Sequence, residues 1–328
     1  MTLPTRHILG ILKDNLDRRG SILPLTRPRA VGWADGLGIP RGGATVLYTG
    51  LMYQLMPSMI ALEKVLSRLE DSSLNHLFGM GRTINRVLDM SHFTPLLVRR
   101  EDQETFDGIL RTIVFLLRNA NVDFGYLYDE ELYAGALAHD EGLCAAFEKQ
   151  ALRVRDLFRS HGVRRVITVD PHTTNILRSV YPKVLGEDPL EVKSYLEILA
   201  EDPRKPVRPL DSSVAIHDSC IYARQEELIQ EPRELMRAAG MEPAEPENAG
   251  KMTFCCGGPI ESLFPSKARS VADRRMEQLA TVSRTTVTTC PICLVNLGKA
   301  GRARGVSVED ISVPLARAHS DGASLRSA

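Results

Sequence analysis

Five cysteines near the C-terminal end constrain this 328-residue chain more than any other feature of its sequence. They fall in three separate segments, at Cys220, at the adjacent pair Cys255 and Cys256, and at the pair Cys290 and Cys293. Because these segments are far apart along the chain, their thiols meet only if the fold brings three loops together. The N-terminus lacks the apolar core of a signal peptide, and clustered cysteines without one indicate metal or redox chemistry more often than disulfides.

Short apolar runs alternate with longer amphipathic runs along the chain. The short runs are rich in β-branched residues and bounded by turn or charged residues, as in buried strands. The longer runs repeat apolar residues every three or four positions, as in helices that cover a sheet. Strands that alternate with helices predict an α/β fold. The predicted strands are Val46–Tyr48, Val166–Val169, Val214–Ile216 and Thr285–Thr289, and the predicted helices include Leu143–His161 and Lys267–Val282.

The sequence divides into a lead-in and two halves. Residues 1–43 form the lead-in, residues 44–200 the first half and residues 211–328 the second half. The connector between the halves is rich in proline and charge, which suits an exposed linker. The halves resemble each other, because a strand runs into a proline turn at both Pro171 and Pro291. We therefore predict two related α/β domains that face each other with pseudo-twofold symmetry, and a lead-in that docks another protein of a complex.

Charge and hydropathy argue against two classes of partner. The chain has 41 basic and 41 acidic residues, so it lacks the bulk charge that attracts nucleic acid or an acidic membrane. No segment approaches the ~18 unbroken apolar residues that a membrane span needs. We predict a cytoplasmic protein with no membrane span and no nucleic-acid partner.

The chemistry of five cysteines narrows the choice of the group that they bind. Thiolates are soft ligands that favour iron–sulfur clusters and zinc. Zinc needs only four tetrahedral ligands, so five cysteines favour an iron–sulfur cluster and leave structural zinc as the alternative. A redox dithiol of Cys290 and Cys293 leaves three cysteines unexplained, and unrelated core cysteines explain the pattern less well. Gly257 and Gly258 would let the backbone approach an inorganic core, and Pro291 would stiffen the last loop.

Four further side chains are candidate site residues with competing structural roles. His217 precedes the first cysteine, where it would orient a ligand, handle a substrate proton or form part of the core. Arg224 would pair with an anionic substrate or form a surface salt bridge. His172 has no companion ligands in its own half, which argues against metal binding there. Cys144 lies inside a predicted helix and is interpreted as a core residue.

The cysteine pattern resembles the cysteine-rich CCG domain found in the B-type subunit of heterodisulfide reductase and in its relatives. The resemblance covers residues 214–297, including the strand before Cys220 and the closing Cys-Pro-Ile-Cys sequence. Relatives with two such domains hold a noncubane [4Fe-4S] cluster in each five-cysteine motif. The matching positions of the first half lack cysteine, so the resemblance implies a single cluster in the second half. We match those positions to Leu51, Leu127, Tyr128, Asp170 and Thr173.

One intact motif after a degenerate half is most similar to the second B-type subunit of sulfur-oxidising heterodisulfide-reductase-like complexes. The resemblance implies an oxidoreductase subunit that acts on thiol, disulfide or persulfide sulfur, with a lipoyl or other sulfur-carrier protein delivering the substrate. It implies as partners a C-type subunit with cubane [4Fe-4S] clusters and an A-type flavoprotein. Two other functions stay open, namely an electron relay in a lactate-, glycolate- or quinone-linked dehydrogenase and a zinc-stabilised interaction subunit.

Overall fold

The computed structural model describes residues 5–70, 98–186 and 189–321, which form two α/β units of the same topology. The strands of the first unit are β1 (Thr45–Tyr48), β2 (Gly125–Tyr126), β3 (Arg165–Thr168) and β4 (Glu191–Ser194). The strands of the second unit are β5 (Ser212–His217), β6 (Met241–Ala244), β7 (Thr285–Thr288) and β8 (Ser307–Asp310). Both sheets are parallel, in the orders β2-β1-β3-β4 and β6-β5-β7-β8. The predicted α/β class with two related units is confirmed.

Helices connect the strands in both units. In the described part of the chain, none combines the length and apolar character needed to cross a bilayer. The helices up to the end of the first unit are α1 (Thr5–Arg19), α2 (Arg27–Val31), α3 (Met52–Glu70), α4 (Arg100–Asn119), α5 (Ala136–Asp140), α6 (Cys144–Ser160), α7 (Pro171–Asn175), α8 (Tyr181–Leu185) and α9 (Tyr195–Glu201). Those of the second unit are α10 (Cys220–Gln225), α11 (Gln230–Ala238), α12 (Pro265–Ala280), α13 (Pro291–Arg302) and α14 (Ser312–His319).

The two central strands of each sheet carry the apolar sequence. In β1, β3 and β7 the last three residues of the strand are buried, and in β5 the last four are. These are the four strands predicted from the sequence, and they differ from the prediction only at their ends. Buried parallel strands need β-branched and apolar side chains on both faces, which is why these segments could be identified.

The described part of the lead-in belongs to the core of the first unit. Helix α1 buries Ile8, Leu12 and Leu16 and packs against α6. Trp33 is fully buried, and its indole nitrogen donates to the Tyr126 hydroxyl at 3.3 Å. Burial of each large apolar side chain contributes about 1.5–3 kcal/mol to the free energy of folding, so the segment is held firmly on the first unit. The division at residue 43 and a role in docking another protein stay predictions.

Two reciprocal tyrosine contacts join the units. Tyr53, on α3 of the first unit, donates to Asp310 at the end of β8 at 2.7 Å. Tyr222, at the matching position of α10, lies 2.8 Å from the hydroxyl of Ser194 at the end of β4. In each unit, the helix that follows the first strand therefore contacts the last strand of the other unit. This exchange is the pseudo-twofold arrangement that the internal repeat predicts.

We expect a Tyr53→Phe variant to lose about 1–3 kcal/mol of unfolding free energy, because the buried Asp310 carboxylate loses a donor. Urea denaturation of the full chain measures the change. Tyr195→Phe is a matched control, since Tyr195 is also buried and its hydroxyl has no hydrogen-bond partner. Equal losses in the two variants would show that the contact between the units contributes nothing specific.

Candidate metal centre

The three cysteine segments follow three strands of the second sheet. Cys220 is the first residue of α10, which comes shortly after β5. Cys255 and Cys256 lie in the loop that leads from β6 to α12. Cys290 is the N-cap residue of α13, after β7, and Cys293 lies in the first turn of that helix. Because parallel strands end at the same edge of a sheet, the fold brings all five residues to one edge.

The five thiols form one group at this edge. The Sγ atoms of Cys256 and Cys293 lie 3.2 Å apart. Cys255 interacts with Cys220 on one side and with Cys256 on the other, and Cys293 interacts with Cys290. None of the five is in a disulfide; three are buried, whereas Cys220 and Cys255 are partly exposed. The group therefore has a buried floor and a more open rim.

Hydrogen bonds within the group separate the pKa values of the thiols. Bonds from its two neighbours lower the pKa of Cys255 far below its usual range. Burial raises the pKa of Cys290, but hydrogen bonds from Cys293 and His172 outweigh it, so the net pKa lies well below the usual value. At Cys255 and Cys290 the site thus favours the thiolate, which is the form that binds a metal. Donation raises the pKa of the thiols of Cys220, Cys256 and Cys293.

His217, at the end of β5, lies against the buried floor. One of its ring nitrogens is within 4.8 Å of the sulfur atoms of Cys256 and Cys293. Arg275 on α12 donates from Nε to Nδ1 of His217 at 3.1 Å. A guanidinium only donates, so Nδ1 accepts and the proton of the neutral ring lies on Nε2. Burial and then the charge of Arg275 lower the pKa of His217 to about 3, which keeps the ring neutral.

This tautomer determines whether His217 can donate a hydrogen bond or bind a metal at the site. Its Nε2 is buried and has no hydrogen-bond partner. Because Nε2 carries the proton, it can only donate a hydrogen bond and has no lone pair for a metal. The structure thus supports an orienting role for His217, as a hydrogen-bond donor behind the cysteines.

The packing around the motif explains why glycine stands at two of its positions and proline at a third. Gly257 has φ +90°, and a Cβ there would lie 2.5 Å from the carbonyl oxygen of Ala268. A Cβ on Gly258 would lie 2.3 Å from Cγ2 of Ile292. The glycines therefore let the cysteine loop pack against α12 and α13, a different reason from the predicted approach to an inorganic core. Pro291 opens α13, where its missing N–H costs no helical hydrogen bond.

Arg224 supports the cysteine loop from outside. Its Nε donates to the carbonyl oxygen of Lys251 at 3.2 Å, and its Nη2 donates to the carbonyl oxygen of Thr253. The Thr253 hydroxyl in turn donates to the carbonyl oxygen of Asp218 at 2.9 Å. The guanidinium is thus bound to the backbone just before Cys255. Its action on an anionic substrate stays a prediction.

The first unit repeats the shape of the cysteine loop. In both units, a 3-10 turn leads to an extended residue that is tied to the loop after the first strand. In the first unit Glu131 accepts from the backbone N–H of Thr49, and in the second Thr253 bonds to Asp218. Each loop then reaches a glycine at positive φ, and the two glycines are Gly135 (φ 97°) and Gly257 (φ 90°).

This correspondence gives the positions that match the cysteine pair. Cys255 and Cys256, which precede Gly257, align with Tyr133 and Ala134, which precede Gly135. The shared glycine of Tyr-Ala-Gly and Cys-Cys-Gly was the available sequence signal. The match of the cysteine pair to Leu127 and Tyr128, which lie earlier in the loop, is therefore wrong.

His172 of the first unit reaches the cysteines of the second. Its ring interacts with the thiol of Cys290 and pairs through Nδ1 with Asp140 at 3.5 Å. Burial lowers the pKa of His172, but Asp140 and Cys290 raise it more, so the ring is charged at neutral pH. His172 lacks neighbouring cysteines in its own half of the sequence because the cysteine it contacts, Cys290, lies in the other half.

Cys144 is exposed, so its interpretation as a core residue is wrong. It is the first residue of α6, where its Sγ donates to the carbonyl oxygen of Gly142 at 3.5 Å. The apolar stripe of α6 begins later, at Ala146 and Phe147. Cys144 therefore takes no part in the group of five.

The side chains at the sheet edge fit a group that is bound through several sulfur atoms. Five free thiols converge, two of them are biased towards the thiolate, and the buried ring of His217 lies beside them. Soft sulfur donors of this number suit an iron–sulfur cluster better than a four-coordinate zinc ion.

Residues 214–298 match the family model of the CCG cysteine-rich domain. Three curated proteins are similar over a longer stretch. One is the EtfAB:quinone oxidoreductase of Syntrophomonas wolfei, 32% identical over 61% of this chain and 30% of that protein. A probable membrane-anchored ferredoxin of Chromohalobacter salexigens is 32% identical over 67% of this chain and 36% of that protein. The D-type subunit of the dihydromethanophenazine:CoB–CoM heterodisulfide reductase of Methanosarcina barkeri is 23% identical over 60% of this chain and 51% of that protein.

The matches agree with the geometry of the site. The chain spans about a third of the length of the first two of these relatives, and its match to the family model includes all five cysteines. Residues 214–298 therefore form a cysteine-rich domain of the CCG family, as the spacing of the cysteines predicted.

Proposed function

We propose that this chain is an iron–sulfur redox subunit of a heterodisulfide-reductase-like complex. In this proposal one cluster is held at the edge of the second sheet. One observation carries the proposal, namely that five free thiols from three distant loops converge at a single sheet edge. The proposed ligands are Cys220, Cys255, Cys256, Cys290 and Cys293.

The proposed cluster is a single noncubane [4Fe-4S] cluster. Five cysteines exceed the four ligands of a cubane cluster or of a zinc ion, which supports this type. When bound, such a cluster supplies one-electron transfer. The second unit, proposed as the domain of residues 211–328, contributes every cysteine ligand, and the first, proposed as the domain of residues 44–200, contributes none.

The surrounding side chains have proposed roles that follow from their contacts. His217, fixed by Arg275, donates a hydrogen bond to sulfur, which raises the reduction potential of a bound cluster. Arg224 holds the backbone of the loop before Cys255. The buried floor around Cys256 and Cys293 excludes water, so a substrate would approach from the rim.

The partly exposed rim supports a sulfur substrate. Cys220 and Cys255 are the two ligands that solvent reaches, so a thiol, disulfide or persulfide would approach beside them. We propose that a lipoyl or other sulfur-carrier protein presents this substrate. A C-type subunit with cubane clusters and an A-type flavoprotein would exchange the electrons. The similarity to a component of a heterodisulfide reductase supports this class of reaction.

A second candidate is an electron relay that binds no substrate of its own. It is favoured by the similarity to a quinone oxidoreductase and to a probable membrane-anchored ferredoxin. In that case, the rim would face a redox partner and added thiols would leave the cluster unchanged.

Metal analysis of anaerobically purified protein tests the proposal. We expect iron and acid-labile sulfide in equal amounts, at roughly four of each per chain, with little zinc. A paramagnetic signal that changes when a small thiol is added would support the substrate-binding function, and a signal indifferent to thiols would support the relay. Stoichiometric zinc without iron or sulfide would refute both.

A further inference from the structure

The first unit, the second unit and the solvent meet around one buried carboxyl group, Glu261. It lies in a 3-10 turn just after the Cys-Cys-Gly-Gly-Pro sequence, and this turn packs against α3 and α12. The residue is only 8% exposed, and its Oε2 has no hydrogen-bond partner. A buried carboxyl oxygen without a partner costs free energy, so its presence calls for a functional reason.

Glu261 lines two cavities, which we call the inner and the outer cavity. The inner cavity, of about 20 Å³, is lined by Glu261, by His172 and Asp140 of the first unit, and by apolar side chains. A volume of this size holds a single water molecule when polar groups surround it. His172 in turn interacts with the thiol of Cys290. The inner cavity thus links Glu261 to the cysteine group.

The outer cavity is lined by Glu261 together with residues of α12 and α13. Its volume is about 130 Å³, and its polar lining includes Asn296 and the ion pair of Glu63 with Lys299. Burial lowers the pKa of Lys299 to about 8, whereas its ion pair with Glu63 favours the charged ammonium. A proton that enters from solvent therefore meets titratable side chains before it reaches Glu261.

We propose that Glu261 takes up one proton from the outer cavity with each electron that enters the cysteine site, and passes that proton on through the inner cavity when a substrate is reduced. This inference rests on the proposed function. Reduction of a disulfide to two thiols takes two electrons, supplied singly by an iron–sulfur or flavin partner protein, and two protons. For each proton, the carboxyl O–H bond of Glu261 breaks towards the inner cavity and the carboxylate is reprotonated from the outer one. Oxidation of thiols runs the same path in reverse.

The charges around Glu261 suit a group that changes protonation near neutral pH. Burial raises the pKa of Glu261 to about 7. The charge of His172 lowers it, whereas the charges of Cys290 and Glu141 raise it. The remaining charged groups that face it line the two cavities, and they are Asp140 of the first unit, Glu63 on α3, Arg269 and Asp273 on α12, and Lys299 on α13.

The test measures how the midpoint potential of the anaerobic full-length holoprotein depends on pH, in the wild type and in Glu261→Gln. We expect the wild-type affinity for an electron to change about tenfold per pH unit around neutrality, as uptake of one proton per electron requires. In Glu261→Gln we expect less than a twofold change. Glu277→Gln, an exposed carboxylate on α12, is the control and should behave as the wild type.

An infrared difference spectrum of reduced minus oxidised wild type gives a readout that does not need the variant to fold. We expect a carboxylic acid C=O band that changes on reduction. A missing band overturns the proposal, and so does a wild-type pH dependence in Glu261→Gln. A pH dependence lost in Asp140→Asn but kept in Glu261→Gln would assign the path to the His172 side. A chain with no reduction step at all fails as a redox subunit, which is a distinct result.

Discussion

Alanine at Cys256, Cys290 or Cys293 is expected to remove most of the iron from the anaerobically purified chain. Each of these side chains is buried, so water cannot readily replace the missing sulfur. Since losing a group that merely orients a ligand already costs about 10–100-fold in metal affinity, we expect at least a tenfold loss for each ligand. Iron and acid-labile sulfide per chain, measured on folded protein, are the readout.

Cys144→Ala is the matched control for these variants. Cys144 is an exposed free cysteine on α6, outside the group of five, so its loss should leave the iron content unchanged. Circular dichroism of every variant separates loss of metal from loss of fold. Full iron occupancy in Cys256→Ala or Cys293→Ala would remove those residues from the ligand set.

Arg275→Met is expected to cost about 2–4 kcal/mol of unfolding free energy. Arg275 is fully buried and donates to His217, to the carbonyl oxygen of Asn248 at 2.8 Å and to Oε1 of Gln278 at 2.8 Å. Burial lowers the pKa of Arg275 to about 10, so removing the buried charge offsets part of the loss. Three acceptors left without a donor outweigh that gain, because each hydrogen bond to a charged group contributes about 1.5–3 kcal/mol.

The same variant tests the tautomer of His217. Without the guanidinium, the ring proton is free to move to Nδ1, and the N–H donor that we propose for the cysteine sulfur is lost. We therefore expect a changed paramagnetic signal in addition to the lower stability in urea. Arg274→Met is the control, since Arg274 is exposed and lies over the ring of Phe254, with an expected cost of at most about 1 kcal/mol. Comparable losses in the two variants would contradict the role of Arg275.

The central strands could be predicted from the sequence, but the edge strands could not. β1, β3, β5 and β7 are buried and therefore show continuous β-branched and apolar runs. The edge strands β4, β6 and β8 read Glu-Val-Lys-Ser, Met-Glu-Pro-Ala and Ser-Val-Glu-Asp. A half-exposed edge tolerates charge and proline, so these segments carry no pattern that distinguishes them from loops.

The strand pattern also made the convergence of the cysteines predictable, but it gave no indication of the side chains that surround them. Thiols at the ends of parallel strands converge because of the topology, which the strand pattern already indicates. His172 approaches the site from the first unit, so only the packing of the two units determines its distance. Glu261 follows the cysteine pair in the same loop, but its burial depends on how that turn packs against α3 and α12. A histidine without neighbouring ligands and a glutamate in a loop give no signal of their own in a single sequence.

The glycine conformation shared by the two loops bears on how the chain would acquire its inorganic group. Gly135 and Gly257 have nearly the same φ, although only one of them follows a pair of cysteines. Backbone packing alone is thus sufficient to shape such a loop. The loop that carries the cysteine pair would then already have its final conformation before iron is delivered, and cluster insertion would not require this loop to refold.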